Sequence, residues 1–397
     1  MITGSPATAW AGGGRCARFA VIAALLVVLA ACSGLPDDIA GKKTSKGPTK
    51  LTDFKPSAAI TIRWRQSVGD MGSNALQPIV AGSAVYAANA RGEVFRLDRA
   101  TGKVVWRVSS GFIISGGVGV GDGLVLVGGT KGELAALGED GKLRWQTRLT
   151  SEVMSAPQVA NGIVVVRTGD GRIAGLKVDN DKVTRQWLYE RATPALIVRS
   201  NAGVTISGDR VYAGFAGGRL AAINLTNGTL IWEVAVSQPK GNTELERISD
   251  VTSLPVVDNE QVCAVSFQGR VACFELAQGT LLWSRDLSSD RGLALALKNL
   301  YLTDSTGVVS ALDKSSGSSL WKNDKLSLRR ATEPGVAGNH IAVGDYQGYL
   351  HLLSKDDGSF AARLKTDGSA IQSAPAALDD GLLVQTRDGG VYSIAVH

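Results

Sequence analysis

The sequence predicts an all-β fold, a single eight-bladed β-propeller of four-stranded antiparallel blades, on three observations. Tryptophans recur 38 to 51 residues apart from Trp64 to Trp321. Each recurrence closes the same pattern: an apolar strand, a glycine-centred turn, a strand ending near Leu-Asp, a second turn, and a strand carrying the tryptophan. Glycine is abundant, 48 of 397 residues, with no Gly-X-Y period, which excludes collagen and suits a chain of many tight turns. Four cysteines in a chain this long exclude a disulfide-stapled miniprotein, and 44% apolar residues exclude a disordered chain.

The N-terminus precedes the repeat. Arg15 and Arg18 lead into an apolar run, 19–31. As a helix these thirteen residues rise about 20 Å, short of a bilayer core of about 30 Å. Residues 1–31 therefore read as a secretory signal. Its ending, Leu29-Ala30-Ala31-Cys32, resembles the lipobox of bacterial lipoproteins. That resemblance implies acylation of Cys32 and cleavage before it, and Ser33 in place of Asp implies the outer membrane. Several acyl chains hold a membrane stably where one is marginal. Residues 32–57 then read as the lipidated cysteine and a flexible, lysine-bearing linker.

The propeller is expected over 58–397. The clearest copy runs Val85-Tyr86-Ala87-Ala88, Arg91-Gly92-Glu93, Val94-Phe95-Arg96-Leu97-Asp98, Thr101-Gly102-Lys103 and Trp106. Further copies end at Trp145, Trp187, Trp232, Trp283 and Trp321. A seventh has Gly348 and Leu352-Leu353 but Ala362 where tryptophan is due, and an eighth stops after Tyr392 and Ile394. Trp64, in Ile60-Thr61-Ile62-Arg63-Trp64, has no preceding strands of its own. An N-terminal strand that completes the C-terminal blade closes the ring and removes its open sheet edges. Pro78, Pro157, Pro255, Pro334 and Pro375 each precede a short apolar run, where an innermost strand starts without losing a ladder bond. The seven tryptophans, Trp64 to Trp321, are expected to dock blade on blade rather than to stack a ligand.

Enzyme equipment is missing from the sequence. His340, His351 and His397 form no HExxH pair, and no GxSxG or Walker motif occurs. The expectation is no catalytic residue, no metal and no cofactor. Gly116-Gly117-Val118-Gly119-Val120-Gly121 falls in the strand repeat and opens no helix for a phosphate. Cys263 and Cys273 flank the turn Phe267-Gln268-Gly269-Arg270 on neighbouring strands, and a disulfide or two buried thiols both fit. Leu196-Ile197-Val198-Arg199 reads equally as an apolar–arginine interface cluster or as the inner strand of the fourth blade. The longest inter-tryptophan gap, Trp232 to Trp283, holds the polar loop 237–250, and long loops in a compact ring are often functional.

Two families resemble this pattern. The tryptophan repeat resembles that of quinoprotein dehydrogenases, which bind pyrroloquinoline quinone and calcium. Adjacent cysteines and a calcium-binding carboxylate cluster are missing here, so that likeness concerns architecture; a quinone-dependent dehydrogenase and a generic ligand-binding propeller are the alternatives. The combination of lipobox, linker and eight-bladed ring resembles the BamB family, lipoproteins of the outer-membrane β-barrel assembly machinery. Thr193-Pro194-Ala195-Leu196-Ile197-Val198-Arg199-Ser200 resembles the family's exposed Leu-x-Leu-Arg loop, and Arg247-Ile248-Ser249-Asp250-Val251 its Arg-Leu-Ser-Asp-Val segment. The resemblance implies a non-enzymatic, lipid-anchored scaffold on the periplasmic face of the outer membrane. It would bind a POTRA domain of BamA, meet the other Bam lipoproteins, and assist the insertion of unfolded barrel proteins. It implies Leu196 and Val198 as apolar contacts, Arg199 as polar anchor, and Asp250 as an acidic partner or an orienter of the loop. Thr252 stands where the family has a second acid.

The formal charge of +6 does not point to nucleic acid. The signal carries +2 in Arg15 and Arg18, and the linker another +2. Only +2 remains on the ring, too little for a phosphate-binding face.

Overall fold

The computed structural model describes residues 47–74, 76–192, 194 and 196–397, so Cys32 and the expected signal lie outside the described residues. The compact unit spans Pro48–His397. Among the described residues there are eight four-stranded antiparallel sheets and no helix. Blades 1 to 7 cover residues 79–109, 114–148, 158–189, 204–235, 256–285, 292–323 and 335–365. Blade 8 takes three strands from 376–396 and its outer strand from Ile60–Ser67, which pairs from Ile60↔Val396 to Ser67↔Gly390. The ring closes as the orphaned Trp64 requires.

Each blade is sandwiched between two others, so its middle strands are buried on both faces. Ala84–Ala88 and Leu124–Gly129 are buried at every position. The five prolines stand immediately before the inner strands of blades 1, 3, 5, 7 and 8. Every outer strand carries a one-residue register shift just before the tryptophan position, for example between Ala222 and Ile223 opposite Trp232 and Leu230. That bulge turns the indole toward the next blade.

The tryptophans are docks. Trp64 Nε1 donates to Arg99 O at 2.8 Å, Trp232 to Leu276 O at 2.9 Å and Trp321 to Lys355 O at 2.7 Å, each acceptor lying just after the third strand of the next blade. The same turn explains the Leu-Asp ending. Asp98 Oδ1 accepts the Thr101 N–H at 2.8 Å and its hydroxyl at 2.6 Å, folding the turn that presents the carbonyl. The ring face of six of the seven indoles, all but Trp145, lies on a turn glycine. A Cβ at Gly317 (φ +71) would collide with the Trp283 ring, so space and backbone both demand glycine.

Two departures follow from this rule. Trp145 Nε1 has no partner among the described residues, because the turn it faces in blade 3 is only Asn180-Asp181, both left-handed. Ala362 replaces tryptophan in blade 7 because blade 8 has no turn between its third and fourth strands: the third is C-terminal and the fourth N-terminal. There Ala58 and Ile60 pack against Ala361 and Ala362, and the Ser57 and Ala58 N–H groups donate to Ala361 O at 3.0 and 3.2 Å. Part of the segment read as linker thus lies against the ring.

Candidate functional site

The connections between blades emerge at one face of the ring, and two of them build the site. Residues 190–203 join blade 3 to blade 4, and 236–255 join blade 4 to blade 5. The inner strand of blade 4 is Val204–Ser207, and no strand occurs at 190–203 among the described residues. Leu196 and Val198 are therefore not core strand residues. Leu196 and Ile197 are each 45% exposed, Val198 is half-buried and Arg199 exposed.

Asp250 holds this loop from below. It is 4% exposed, and its two oxygens accept the Val198 N–H at 2.7 Å and the Gly217 N–H at 2.9 Å. Its carbonyl accepts the Phe267 N–H at 2.8 Å, and Val251 N–H donates to Phe215 O at 3.1 Å. One carboxylate thus ties the 3–4 connection to the hairpin turn of blade 4, while its backbone ties in that of blade 5. A buried carboxylate is tolerated only with such donors. Arg167 sits beneath, stacked 5.2 Å from the Phe215 ring and donating to Gly214 O at 2.5 Å. Burial pulls its guanidinium down to about 10, an effect that the Asp250 charge opposes.

Two roles are expected of Asp250, acidic partner or orienter of the loop, and its geometry is that of an orienter. Arg199 is the exposed member: Nη2 donates to Glu152 Oε2 at 2.7 Å, across to the connection between blades 2 and 3. Such an exposed pair contributes about 1 kcal/mol or less and leaves the guanidinium available to another acid. Thr252 is 6% exposed, with no hydrogen bond to its hydroxyl among the described residues. Glu152 and Arg167 are participants that sequence reasoning missed. Ile197 was visible within the Leu196–Arg199 cluster; Glu152 and Arg167 carry no local signal, since only folding brings them near.

The same face opens into the central channel, about 700 Å³, which Arg199, Arg291, Arg330 and Arg387 line together with Asp290 and Glu333. Burial pushes the Glu333 carboxyl up to about 8. In the middle strands of blade 5, Cys263 and Cys273 sit directly opposite each other, 4.1 Å between Cα atoms, and their sulfurs are joined. The loop Phe267–Gly269, closed by Ser266 N–H donating to Arg270 O at 2.9 Å, sets that register. Among the described residues no group of three or more His, Cys, Asp or Glu side chains is arranged to hold a metal ion.

Comparison with known proteins finds one family throughout the ring. The family described as outer membrane protein assembly factor BamB matches residues 58–111, 90–323 and 305–397. Proteins of that name from Burkholderia pseudomallei and Nitrosomonas eutropha are 43% and 40% identical to this chain, over 93% and 97% of it and 95% and 96% of their own lengths. The Escherichia coli protein of that name is 34% identical over 93% of this chain and 96% of its own. Among solved structures, BamB from Moraxella catarrhalis superposes with a TM-score of 0.77 at 27% identity, covering 85% of this chain and all of that one. A quinohemoprotein alcohol dehydrogenase from Comamonas testosteroni reaches 0.68 at 13% identity, covering 85% of this chain and 76% of its own, a likeness of fold alone.

Proposed function

The chain belongs to the outer membrane protein assembly factor BamB family, and from that premise we propose that it is a non-enzymatic scaffold of the β-barrel assembly machinery. It docks a POTRA domain of BamA through Leu196, Val198 and Arg199, with Asp250 positioning them. It is held by acyl chains on Cys32 at the periplasmic face of the outer membrane. There it works beside the other Bam lipoproteins and assists the insertion of unfolded barrel proteins.

The observation that carries this reading is the Asp250-locked loop. Apolar side chains exposed on flexible segments lose affinity to ordering; Leu196 and Ile197 are instead presented on a loop whose Val198 amide is already held. An apolar pair beside an arginine suits a partner with a small hydrophobic recess and a flanking acid. The arginine gains an anchor without new burial by exchanging Glu152 for the partner's carboxylate.

The test is affinity capture from gently solubilised outer membrane. The native chain should retain BamA and its companion lipoproteins. Leu196→Ala with Arg199→Ala should lower BamA recovery at least tenfold while the ring stays folded by circular dichroism. Undiminished recovery from that double variant overturns the assignment of these residues. Failure of the native chain to retain BamA overturns the scaffold reading itself.

A further inference from the structure

Blade 7 and the connection that leads into it contain a chain of buried charges for which partner docking has no use. Arg329 and Asp345 are 3% and 0% exposed and form an ion pair at 2.7 Å. The same Asp345 oxygen, Oδ2, receives His351 Nε2 at 3.1 Å, and Oδ1 accepts the Gln347 and Tyr349 N–H groups. Arg363 Nε in turn donates to His351 Nδ1 at 3.1 Å, which sets the ring as a neutral imidazole protonated at Nε2. Burying such a row is costly unless every group is engaged.

Both ends of the row reach the same segment. Arg329 Nη1 donates to Thr49 O at 3.0 Å, and Arg363 Nη1 to Thr52 O at 3.1 Å. Thr49 N–H donates to Ser327 O at 3.1 Å. Phe54 covers the exit: its ring lies 5.4 Å from that of Phe360, with the Arg363 guanidinium 5.0 Å above it. Two arginines, each fixed from behind by the Asp345–His351 pair, therefore grip the backbone of residues 49–54.

We propose that Arg329, Asp345, His351 and Arg363 form a clamp for the chain's own tether, fixing where it leaves the ring. Thr49 is held by the connection between blades 6 and 7, three blades on from the 3–4 connection that carries Leu196 and Arg199 in a ring of eight, so the exit stands well away from the docking loop. Both stand on the face where the blade connections emerge. The tether therefore reaches the partner-docking face without crossing the docking loop. The clamp also shortens the tether. Seventeen residue steps separate Cys32 from Thr49, a reach of about 60 Å, against about 95 Å if the chain were free to Ala59. This inference rests on the reading of Cys32 as the lipid attachment, for the tether to be one.

The test uses the full mature chain. Trypsin should cut the native protein after Lys50 slowly, and the Phe54→Ala/Arg363→Gln variant at least tenfold faster, with the blades equally resistant in both. Arg363 is the safer change, since loss of Arg329 would leave Asp345 buried without its cation. Spin labels at Lys50→Cys and Lys177→Cys, the latter on blade 3, should give one narrow distance that broadens in the same variant. Equal cleavage rates, or a broad native distribution, overturn the clamp. Mass spectrometry of the N-terminal peptide reads acylation of Cys32 separately, so a failed anchor and a failed clamp give different results.

Discussion

Asp250 accepts the backbone N–H of Val198 at 2.7 Å, across 52 positions of sequence, and the exposed Leu196-Ile197 pair is held through that bond. The acid organises this loop without being exposed itself, so its loss should act through the loop's order.

Asp250→Ala removes two charge-assisted bonds and leaves Arg167 without its opposing charge. A destabilisation of about 2–4 kcal/mol in urea unfolding is expected. Asp250→Asn keeps acceptor capacity and should cost less. Hydrogen exchange at the Val198 amide should rise in both, more in the alanine variant; an unchanged amide would show that the loop is held otherwise.

The tryptophans make a differential prediction. Trp232→Phe loses the bond to Leu276 O, which keeps only the Arg210 guanidinium as a donor, whereas among the described residues the Trp145 indole N–H has no acceptor to lose. Trp232→Phe should therefore be more destabilising than Trp145→Phe by about 1 kcal/mol. Equal midpoints in urea would mean that ring packing alone accounts for the docks.

Glu333 gives a pH signature. Its folded carboxyl stands near 8 because burial disfavours the charge, above the ordinary carboxylate range of the unfolded chain. The folded state then holds a proton that the unfolded state releases, so this group's contribution falls as pH rises from about 4.5 to 8. Glu333→Gln should raise Tm, by more at pH 8 than at pH 5. A difference that is flat with pH would place the carboxyl at its ordinary value.

The Cys263–Cys273 bond joins strands ten residues apart in sequence. Replacing both by alanine should cost about 2–3 kcal/mol, from loop-closure entropy in the unfolded chain. Peptide mapping without reductant should recover the two cysteines in one linked species. Two free thiols would refute the pairing.

How much of this was legible in the sequence differs by feature. The blade count, the closing strand and the docking tryptophans were, because each is written in local spacing that repeats. Ala362 was visible as an exception, yet its reason was not: the turn it would meet does not exist in blade 8, where the chain's two ends pair. Residues 49–57 looked like tether by composition, and only Arg329, Arg363 and the Ala361 carbonyl make them part of the ring.

The sequence by itself determined an all-β ring of eight blades, since glycine turns and strand alternation act between near neighbours and recur with one period. Tertiary structure decided what the exposed loop does. Leu196-Ile197-Val198-Arg199 could have been a strand; it is a presented loop because a carboxylate from the next blade connection captures one of its amides. It likewise decided that Thr49 and Thr52 are gripped by Arg329 and Arg363, some 300 residues away. Contacts of that range depend on which blades the closed ring brings together, and no spacing along the chain encodes them.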